Sequence, residues 1–217
     1  MRIVITGVGS FVGQALLEEC KKAEIEVIGI DAKSDESNGT IEADIRDPSI
    51  RKSIPLHCDA IVHLAAMSSD NLCRKNGYQC FDVNVLGTLN MIKVARDRCA
   101  KQFIFMSTEW VYTDFDNEEK TERSLIDVTK IMSEYALSKF VSENNIRQES
   151  GHGLCNATIL RLGIVYGLER PGCSAVESLF SAVSRCEPIT VGALKTARRF
   201  IHVNDVASAI VCALGVQ

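Results

Sequence analysis

The chain has 217 residues, of which 46% are hydrophobic and 24% are charged, and its formal net charge is −4. This length suits one domain, or one domain with a small appendage, and the composition is ordinary for a soluble globular protein. The acidic balance argues against a general nucleic-acid binder, and no apolar run approaches the length of a membrane span. The nine cysteines are scattered without a Cys-x-x-Cys pair, which disfavours zinc and thioredoxin-like sites. An odd number of cysteines without a secretion signal favours the cytoplasm.

Strand and helix patterns alternate along the chain. Strands are predicted at residues 3–6, 26–30, 41–44, 60–65, 102–107 and 157–165, and helices at 11–23, 83–98 and 131–147. The run 60–65 is apolar throughout, as expected for a strand covered on both faces. The alternation predicts an α/β fold, a doubly wound parallel sheet with helices on both faces. The acidic stretch 113–124 lacks cysteine and histidine, so we interpret it as an exposed loop rather than a metal site.

A glycine-rich turn separates the first strand from the first helix. Glycines at this place let the backbone approach a pyrophosphate at a helix N-terminus, as in Rossmann-type folds. Asp31 ends the second strand, where a carboxylate can accept hydrogen bonds from the adenosine ribose, which favours NAD over NADP. A turn or cap role is the alternative for Asp31, and the nearby Lys33 could tolerate a 2′-phosphate. The turn reads Thr6-Gly7-Val8-Gly9-Ser10-Phe11-Val12-Gly13.

Tyr135 and Lys139 lie four residues apart in the helix predicted at 131–147, so they share one helix face. A nearby cation favours the phenolate and lowers the pKa of Tyr135 from its usual value of about 10. Tyr135 is therefore a candidate general acid or base for a sugar or alcohol hydroxyl. The spacing alone is a weak signal, because a surface tyrosine beside a surface lysine would show it too. The pair Ser107-Thr108, at the end of the fifth strand, strengthens it.

Further short motifs occur in order along the chain. They are Asp44-Ile45, His63-Leu64-Ala65-Ala66, Asn84-Val85-Leu86-Gly87-Thr88-Leu89-Asn90, Ser107-Thr108-Glu109-Trp110-Val111-Tyr112, Arg161 with Val165-Tyr166-Gly167, and the run from Arg198 to Ala207. Together with the glycine turn and the Tyr/Lys pair, these motifs resemble the extended short-chain dehydrogenase/reductase family. The resemblance is to its NAD-dependent epimerase/dehydratase group, which acts on nucleotide sugars. It covers the chain almost from end to end.

The resemblance implies an NAD-dependent oxidoreductase or epimerase of a sugar or nucleotide sugar. Tyr135 would exchange a proton with a substrate hydroxyl, Lys139 would hold the nicotinamide ribose, and Thr108 would orient the hydroxyl. Glu109 and Arg198 would contact the substrate, although a structural role for Arg198 is an equal alternative. No metal is implied. The implied cofactor-binding residues are Gly7, Gly9, Ser10, Phe11, Val12, Gly13, Asp31, Asp44, Ile45, Leu64, Ala65, Ala66, Asn84, Ser107, Tyr135 and Lys139.

Three polar residues in these motifs have structural interpretations. His63 lies on an apolar strand, where a histidine often only satisfies a backbone hydrogen bond. His202 is interpreted as structural for a similar reason. Asp205 precedes Val206-Ala207 and is predicted to cap the helix that follows.

Departures from the family pattern bear on the reaction. Gly9-Ser10 displaces the middle glycine of the turn, which could weaken cofactor binding. Trp110 occupies the place where the dehydratases of the family carry a catalytic acid or base, and an indole cannot act as a base, so dehydration is disfavoured. The local pattern is closer to that of keto-sugar reductases. The alternatives are therefore a reductase of a keto sugar or small carbonyl compound, and a non-enzymatic dinucleotide sensor.

The C-terminal region is shorter than in typical members of the resembled family. We expect a Rossmann domain over residues 1–167, a reduced substrate-binding segment over 168–200, and a return to the Rossmann core over 201–217. Either the chain is shortened or its substrate is smaller than a nucleotide sugar. A homodimer through the helices at 83–98 and 131–147 is expected from the resemblance alone.

Overall fold

A computed structural model describes residues 1–33, 39–112, 119–168, 174–191 and 198–216. The strands are Arg2–Thr6 (β1), Glu26–Asp31 (β2), Ile41–Glu42 (β3), Ala60–His63 (β4), Gln102–Thr108 (β5), Asn156–Leu162 (β6), Ile164–Tyr166 (β7) and Phe200–His202 (β8). The α-helices are Phe11–Lys22 (α1), Asp70–Lys75 (α2), Gly77–Phe81 (α3), Gly87–Asp97 (α4), Glu134–Ser150 (α5), Ala175–Ser184 (α6) and Val203–Ala213 (α7). A π-helical turn, Asp82–Leu86, joins α3 to α4, and short 3₁₀ turns occur at Pro48–Ser53, Glu109–Tyr112 and Val128–Lys130.

Six strands form one parallel sheet in the order β3-β2-β1-β4-β5-β6. This is the strand order of the Rossmann fold, so the predicted doubly wound α/β architecture is confirmed. The strand order reverses between β1 and β4, and ligands of such sheets bind beyond the carboxyl ends of the strands at this point. The glycine turn follows β1 directly and therefore lies at this edge.

Apolar side chains fill the space on both faces of the sheet. One core cluster packs α4 and the inner face of α5 on the sheet, with Met91, Phe103 and Ile146 buried. The other packs α1 and α7 on the opposite face, around Leu16 and Ile210. Strand β4 is buried along its whole length, as its apolar sequence predicts. The sheet is thus covered by helices on both faces.

The prediction of one long sixth strand over 157–165 is wrong. The strand in the main sheet ends at Leu162, and Ile164–Tyr166 pairs instead with Phe200–His202 in a separate two-stranded parallel sheet. Gly163 lies at the break, where a Cβ atom would come within 2.7 Å of the carbonyl oxygen of Arg199. The chain therefore changes sheets at the one residue that permits so close an approach.

The predicted helix over 131–147 begins and ends later, at Glu134–Ser150. Ser133 sets the start, because its hydroxyl accepts a hydrogen bond from the Ala136 amide at 3.1 Å. The predicted cap at Asp205 is wrong. His202 caps α7 instead, since its Nδ1 accepts from the Asn204 amide at 3.2 Å. Asp205 lies in the first turn of α7.

Some predictions concern residues that the structure describes only in part. In the predicted loop 113–124, residues 113–118 lie outside the described residues, and most of the rest are exposed. The three domain boundaries remain a prediction, since 168–200 includes 169–173 and 192–197 outside the description. In the ranges that are described, no helix combines the length and apolarity needed to cross a bilayer. The same ranges hold no group of three His, Cys, Asp or Glu placed to bind a metal ion.

Candidate active site

A cavity of about 1280 Å³ opens at the carboxyl edge of the sheet, where the ends of β1, β2, β4 and β5 meet α5. Three predicted site residues, Gly13, Asn84 and Glu109, are not among the described residues that line it. The predicted residues that do line it are Gly7, Gly9, Ser10, Phe11, Val12, Asp31, Asp44, Ile45, Leu64, Ala65, Ala66, Ser107, Thr108, Tyr135, Lys139 and Arg198.

The glycine turn is so tightly packed that two of its positions admit only glycine. Gly7 has a φ of +75°, and a Cβ atom there would lie 2.6 Å from the Ala65 amide nitrogen. At Gly13 the added atom would lie 2.4 Å from the Val8 carbonyl oxygen. Ser10 is the N-cap of α1, and its hydroxyl accepts from the Gly13 amide at 3.1 Å. The displaced glycine is thus accommodated by a side-chain cap, and the turn is intact.

Asp31 ties the end of β2 to the glycine turn. Its Oδ2 accepts a hydrogen bond from the Gly9 amide at 2.9 Å, and its Oδ1 accepts from the Lys33 amide at 3.4 Å. A Cβ atom on Gly9 would lie only 3.2 Å from Oδ2, so the glycine at this position gives the carboxylate room. A tight backbone turn, a helix N-terminus and a carboxylate are the parts that hold the pyrophosphate and ribose of a dinucleotide.

Arg46 is a lining residue that sequence reasoning missed. Its guanidinium donates to Asp44 Oδ2 at 2.6 Å and to Asp82 Oδ2 at 2.6 Å. The hydrogen bond from the Arg46 side chain to Asp44 holds the pKa of that carboxyl group below its usual range. The pairing of the two aspartates could not be foreseen, because Asp82 comes from the distant π-helical turn.

Lys139 is buried, with 3% of its surface exposed. Its Nζ donates to the Met106 carbonyl oxygen at 2.8 Å and lies 4.7 Å from the centre of the Phe105 ring. Burial lowers the pKa of Lys139 from 10.5 to about 8. Thr108 ends β5, and its hydroxyl accepts from the Trp110 amide at 3.3 Å. Tyr135 lies in the first turn of α5 and lines the same cavity as both.

Glu109 was expected to contact substrate, but its carboxylate binds Arg199 at 3.1 Å. Trp110 lines the cavity next to Thr108, and a substrate contact of Glu109 stays a prediction. The sequence could not show this, because residues 109 and 199 come together only when β8 pairs with β7.

Asn84 supports the wall of the cavity rather than lining it. Its Oδ1 accepts from the Met67 amide at 2.7 Å, and its Nδ2 donates to Met67 O at 3.1 Å and to Ser138 Oγ at 2.9 Å. The side chain therefore joins the loop after β4 to the helix that carries Tyr135. Asn84 lies in the π-helical turn, and such turns are frequent at functional sites.

His63 is structural, as interpreted from the sequence, although its partners are hydroxyls rather than the backbone. Its Nδ1 lies 2.7 Å from Thr6 Oγ1 and its Nε2 lies 3.1 Å from Thr88 Oγ1. Burial lowers the pKa of His63 to about 3, so the ring is neutral at physiological pH. It joins β1, β4 and α4 beneath the glycine turn.

Comparison with known proteins agrees with this geometry. The model of the NAD dependent epimerase/dehydratase family matches residues 3–216. The chain belongs to this family. The family consists of enzymes, and the assignment from sequence motifs is confirmed.

Individual relatives cover nearly all of the chain. UDP-glucuronate 4-epimerase of Thermodesulfobacterium geofontis is 24% identical over 97% of this chain and 71% of its own length. UDP-glucuronic acid decarboxylase 1 of Arabidopsis thaliana is 28% identical over 97% of this chain, which spans 51% of that protein. The crystal structure of Thermus thermophilus UDP-glucose 4-epimerase in complex with NAD superposes with a TM-score of 0.83, at 25% identity, over 100% of this chain and 75% of that one.

Proposed function

We propose that this family member binds NAD and acts on a sugar or nucleotide sugar as an epimerase or oxidoreductase. One observation carries the proposal: Thr108, Tyr135 and Lys139 line a single cavity together with the glycine turn and Asp31. The fold brings these residues together from the ends of β1, β2 and β5 and from α5, although Gly7 and Lys139 are 132 positions apart in the sequence. A dinucleotide and a reacting hydroxyl group would therefore meet at one place.

The cofactor-binding half of the cavity suits NAD. The amides of the glycine turn and of the α1 N-terminus are placed for a pyrophosphate, and Asp31 for the ribose hydroxyls. A carboxylate at this place repels a 2′-phosphate, so NADP should bind more weakly. The T. thermophilus UDP-glucose 4-epimerase, which has the same fold, was crystallised with NAD.

The proposed chemistry is a proton transfer coupled to a hydride transfer. NAD, when bound, supplies the acceptor and donor of the hydride. Tyr135 takes the proton of the substrate hydroxyl and returns it in the reverse step. Lys139 stabilises the phenolate by its charge, and a lysine with a pKa of about 8 is mostly charged at neutral pH. The Thr108 hydroxyl orients the substrate hydroxyl by a hydrogen bond.

A UDP-hexose is the substrate class that the relatives favour. UDP-glucose and UDP-glucuronate are named for the 4-epimerases of T. thermophilus and T. geofontis. Arg198 lines the cavity and is the candidate to bind the diphosphate. A smaller sugar is the alternative. A homodimer through α4 and α5 also remains a prediction.

A second candidate function is the reduction of a keto sugar or small carbonyl compound. Trp110 favours it, because this residue lines the cavity where an acid or base would serve a dehydratase. A non-enzymatic dinucleotide sensor is disfavoured, since a sensor has no need of Thr108, Tyr135 and Lys139 together.

The first experiment is mass spectrometry of the small molecules that the purified protein releases on denaturation. Stoichiometric NAD or NADH would indicate an internally recycled cofactor and favour an epimerase. A co-released nucleotide sugar would identify the substrate class. A protein without bound cofactor would favour an exchangeable co-substrate, as in a reductase, and titration with NAD(H) and NADP(H) would then test its binding.

The catalytic assignment predicts the effect of Tyr135→Phe. The variant should bind NADH as tightly as the wild type, because only a hydroxyl is lost, while turnover falls by at least about 100-fold. Tyr78→Phe is the matched control, since Tyr78 is 87% exposed on α3. Equal turnover of Tyr135→Phe and this control would show that Tyr135 is not the acid or base.

A further inference from the structure

Glu143 is a buried carboxylate one helical turn beyond Lys139 on α5, with no exposed surface. Its Oε1 accepts hydrogen bonds from Ser107 Oγ at 2.5 Å and Arg161 Nε at 2.9 Å. Its Oε2 accepts from Arg161 Nη2 at 2.7 Å and from Arg147 Nη2 at 2.9 Å. The guanidinium of Arg161 is thus bound through two parallel hydrogen bonds, the strongest geometry for such a pair.

These hydrogen bonds hold residues on both sides of Thr108 in the sequence. Ser107 immediately precedes it on β5, and Ser107 pairs with Arg161 of β6 in the sheet register. Arg161 Nη1 donates to the Tyr112 hydroxyl at 2.6 Å, and Tyr112 ends the 3₁₀ turn that follows Thr108. One carboxylate therefore holds the strand before Thr108 and, through Arg161, the turn after it.

The same helix holds the strand at a second point. Lys139 Nζ binds the carbonyl oxygen of Met106, and Glu143 binds the hydroxyl of Ser107. Successive turns of α5 therefore bind successive residues of β5. A shift of the helix along the strand would break both contacts. Lys139 would then be a buried charge without its carbonyl partner, which costs several kcal/mol.

Several titratable groups surround Lys139 and Glu143. Lys139 faces Cys73 of α2, Cys80 of α3, His63 of β4 and Glu143 of its own helix. Glu143 in turn faces the guanidinium groups of Arg161 and Arg147. Burial lowers the pKa of Lys139, and the negative charge of Glu143 is one of the contributions that raise it.

We propose that Glu143 is a positioning residue of the active site, which fixes Tyr135 and Lys139 against Thr108 and stabilises the charge of the lysine. This inference rests on the proposed acid–base role of Tyr135. It predicts that removing the charge of Glu143 raises the pH at which Tyr135 ionises. The effect is indirect, because Glu143 acts on Tyr135 only through Lys139.

The test is an ultraviolet difference titration of tyrosinate, in which the signal of a Tyr135→Phe protein is subtracted from that of the parent. In the wild type, Tyr135 should ionise below about pH 10, the value of a free tyrosine. In Glu143→Gln the midpoint should rise by about one pH unit, because Lys139 loses its proton at lower pH. Glu149→Gln on the same helix is the control, since Glu149 pairs with Arg96 at the surface, and it should leave the midpoint unchanged.

The possible outcomes distinguish the role of Glu143 from the role of the Tyr135–Lys139 pair. A midpoint in Glu143→Gln equal to that of the wild type would overturn the role of Glu143 and leave the function of Tyr135 standing. A wild-type midpoint at or above about pH 10 would overturn the Tyr135–Lys139 pair itself, and the inference with it.

A second variant keeps the test decisive if Glu143→Gln does not fold. Glu143→Asp retains the charge but is one methylene shorter, so its carboxylate reaches Ser107 or Arg161 rather than both. Its affinity for NADH, read by energy transfer from Trp110, the one tryptophan of the chain, should fall about tenfold because Lys139 is displaced. Affinity equal to that of Glu149→Gln would contradict the positioning role.

Discussion

Replacing Lys139 with methionine should remove a pH dependence of stability that the wild type shows at alkaline pH. The ammonium group is buried, and its pKa falls from 10.5 to about 8 chiefly through desolvation. A shift of about 2.5 pH units corresponds to a penalty of about 3 kcal/mol on folding with a charged lysine. Methionine has a similar length and carries no charge, so the variant lacks this penalty.

The sign follows from proton linkage. Below about pH 8 the folded and unfolded states both bind the proton, and the penalty is fully present. Between about pH 8 and 10.5 the folded state loses the proton first, so the unfolded state binds more protons and stability rises with pH. The methionine variant also loses the hydrogen bond to Met106 and the contact with Phe105, each worth about 1 kcal/mol. Its free energy of unfolding should therefore be about 1 kcal/mol higher than that of the wild type at pH 7 and lower than that of the wild type at pH 10.5.

The assay is urea unfolding of both proteins at intervals from pH 7 to 10.5. The difference between their free energies of unfolding should change by about 3 kcal/mol over this range. Buried thiols with raised pKa values, such as Cys20 and Cys155, also titrate here, but they are common to both proteins and cancel. Lys101→Met is the control, because Lys101 is an exposed lysine paired with Asp59. A difference that stays constant with pH would refute the argument.

Three further predictions concern the cofactor half of the site. The pKa of His63 is lowered to about 3, so the unfolded state binds more protons than the folded state between about pH 3 and 6.5. The free energy of unfolding should therefore fall on acidification by up to about 5 kcal/mol. A His63→Gln protein whose free energy of unfolding in urea depends on pH as that of the wild type does would contradict this. Gly13→Ala should lose NADH binding in a calorimetric titration, because the new atom meets Val8 O at 2.4 Å, whereas Gly77→Ala, with its nearest neighbour at 3.9 Å, should bind normally. The wild type should bind NAD more tightly than NADP, and Asp31→Ala should reduce that ratio at least about tenfold; tighter binding of NADP by the wild type would mean that a nearby cation dominates.

Much of the fold could be predicted because its signals are local. The apolar run of β4, the glycines at 7 and 13, and the carboxylate at the end of β2 each follow from a few adjacent residues. The break at Gly163 was missed because apolar residues typical of strands stand on both sides of it, at Leu162 and at Ile164. The two strands are separated where the Arg199 backbone comes close to Gly163. That contact is between distant segments, so no local sequence pattern predicts it.

The site shows the same division. Tyr135 and Lys139 were identified by helix spacing and lie in one cavity. No sequence motif indicates that Glu109 binds Arg199 or that Arg46 binds both Asp44 and Asp82. Ion pairs between distant segments depend on tertiary packing, whereas a motif records only neighbours.

The inner face of α5 is mainly polar. The same polar residues make the helix hard to predict from its sequence and hold it in place at the site. Four of the six buried residues of this helix are Ser138, Lys139, Ser142 and Glu143, so its hydrophobic periodicity is weak. Burial of an apolar face would be more favourable in free energy, but such a helix could also shift slightly along β5. Hydrogen-bonded charges tolerate no such shift, because each partner lost leaves a buried polar group unsatisfied. The helix that carries Tyr135 is thus held in one register at a cost in stability, and a fixed register suits the proton transfer proposed for Tyr135.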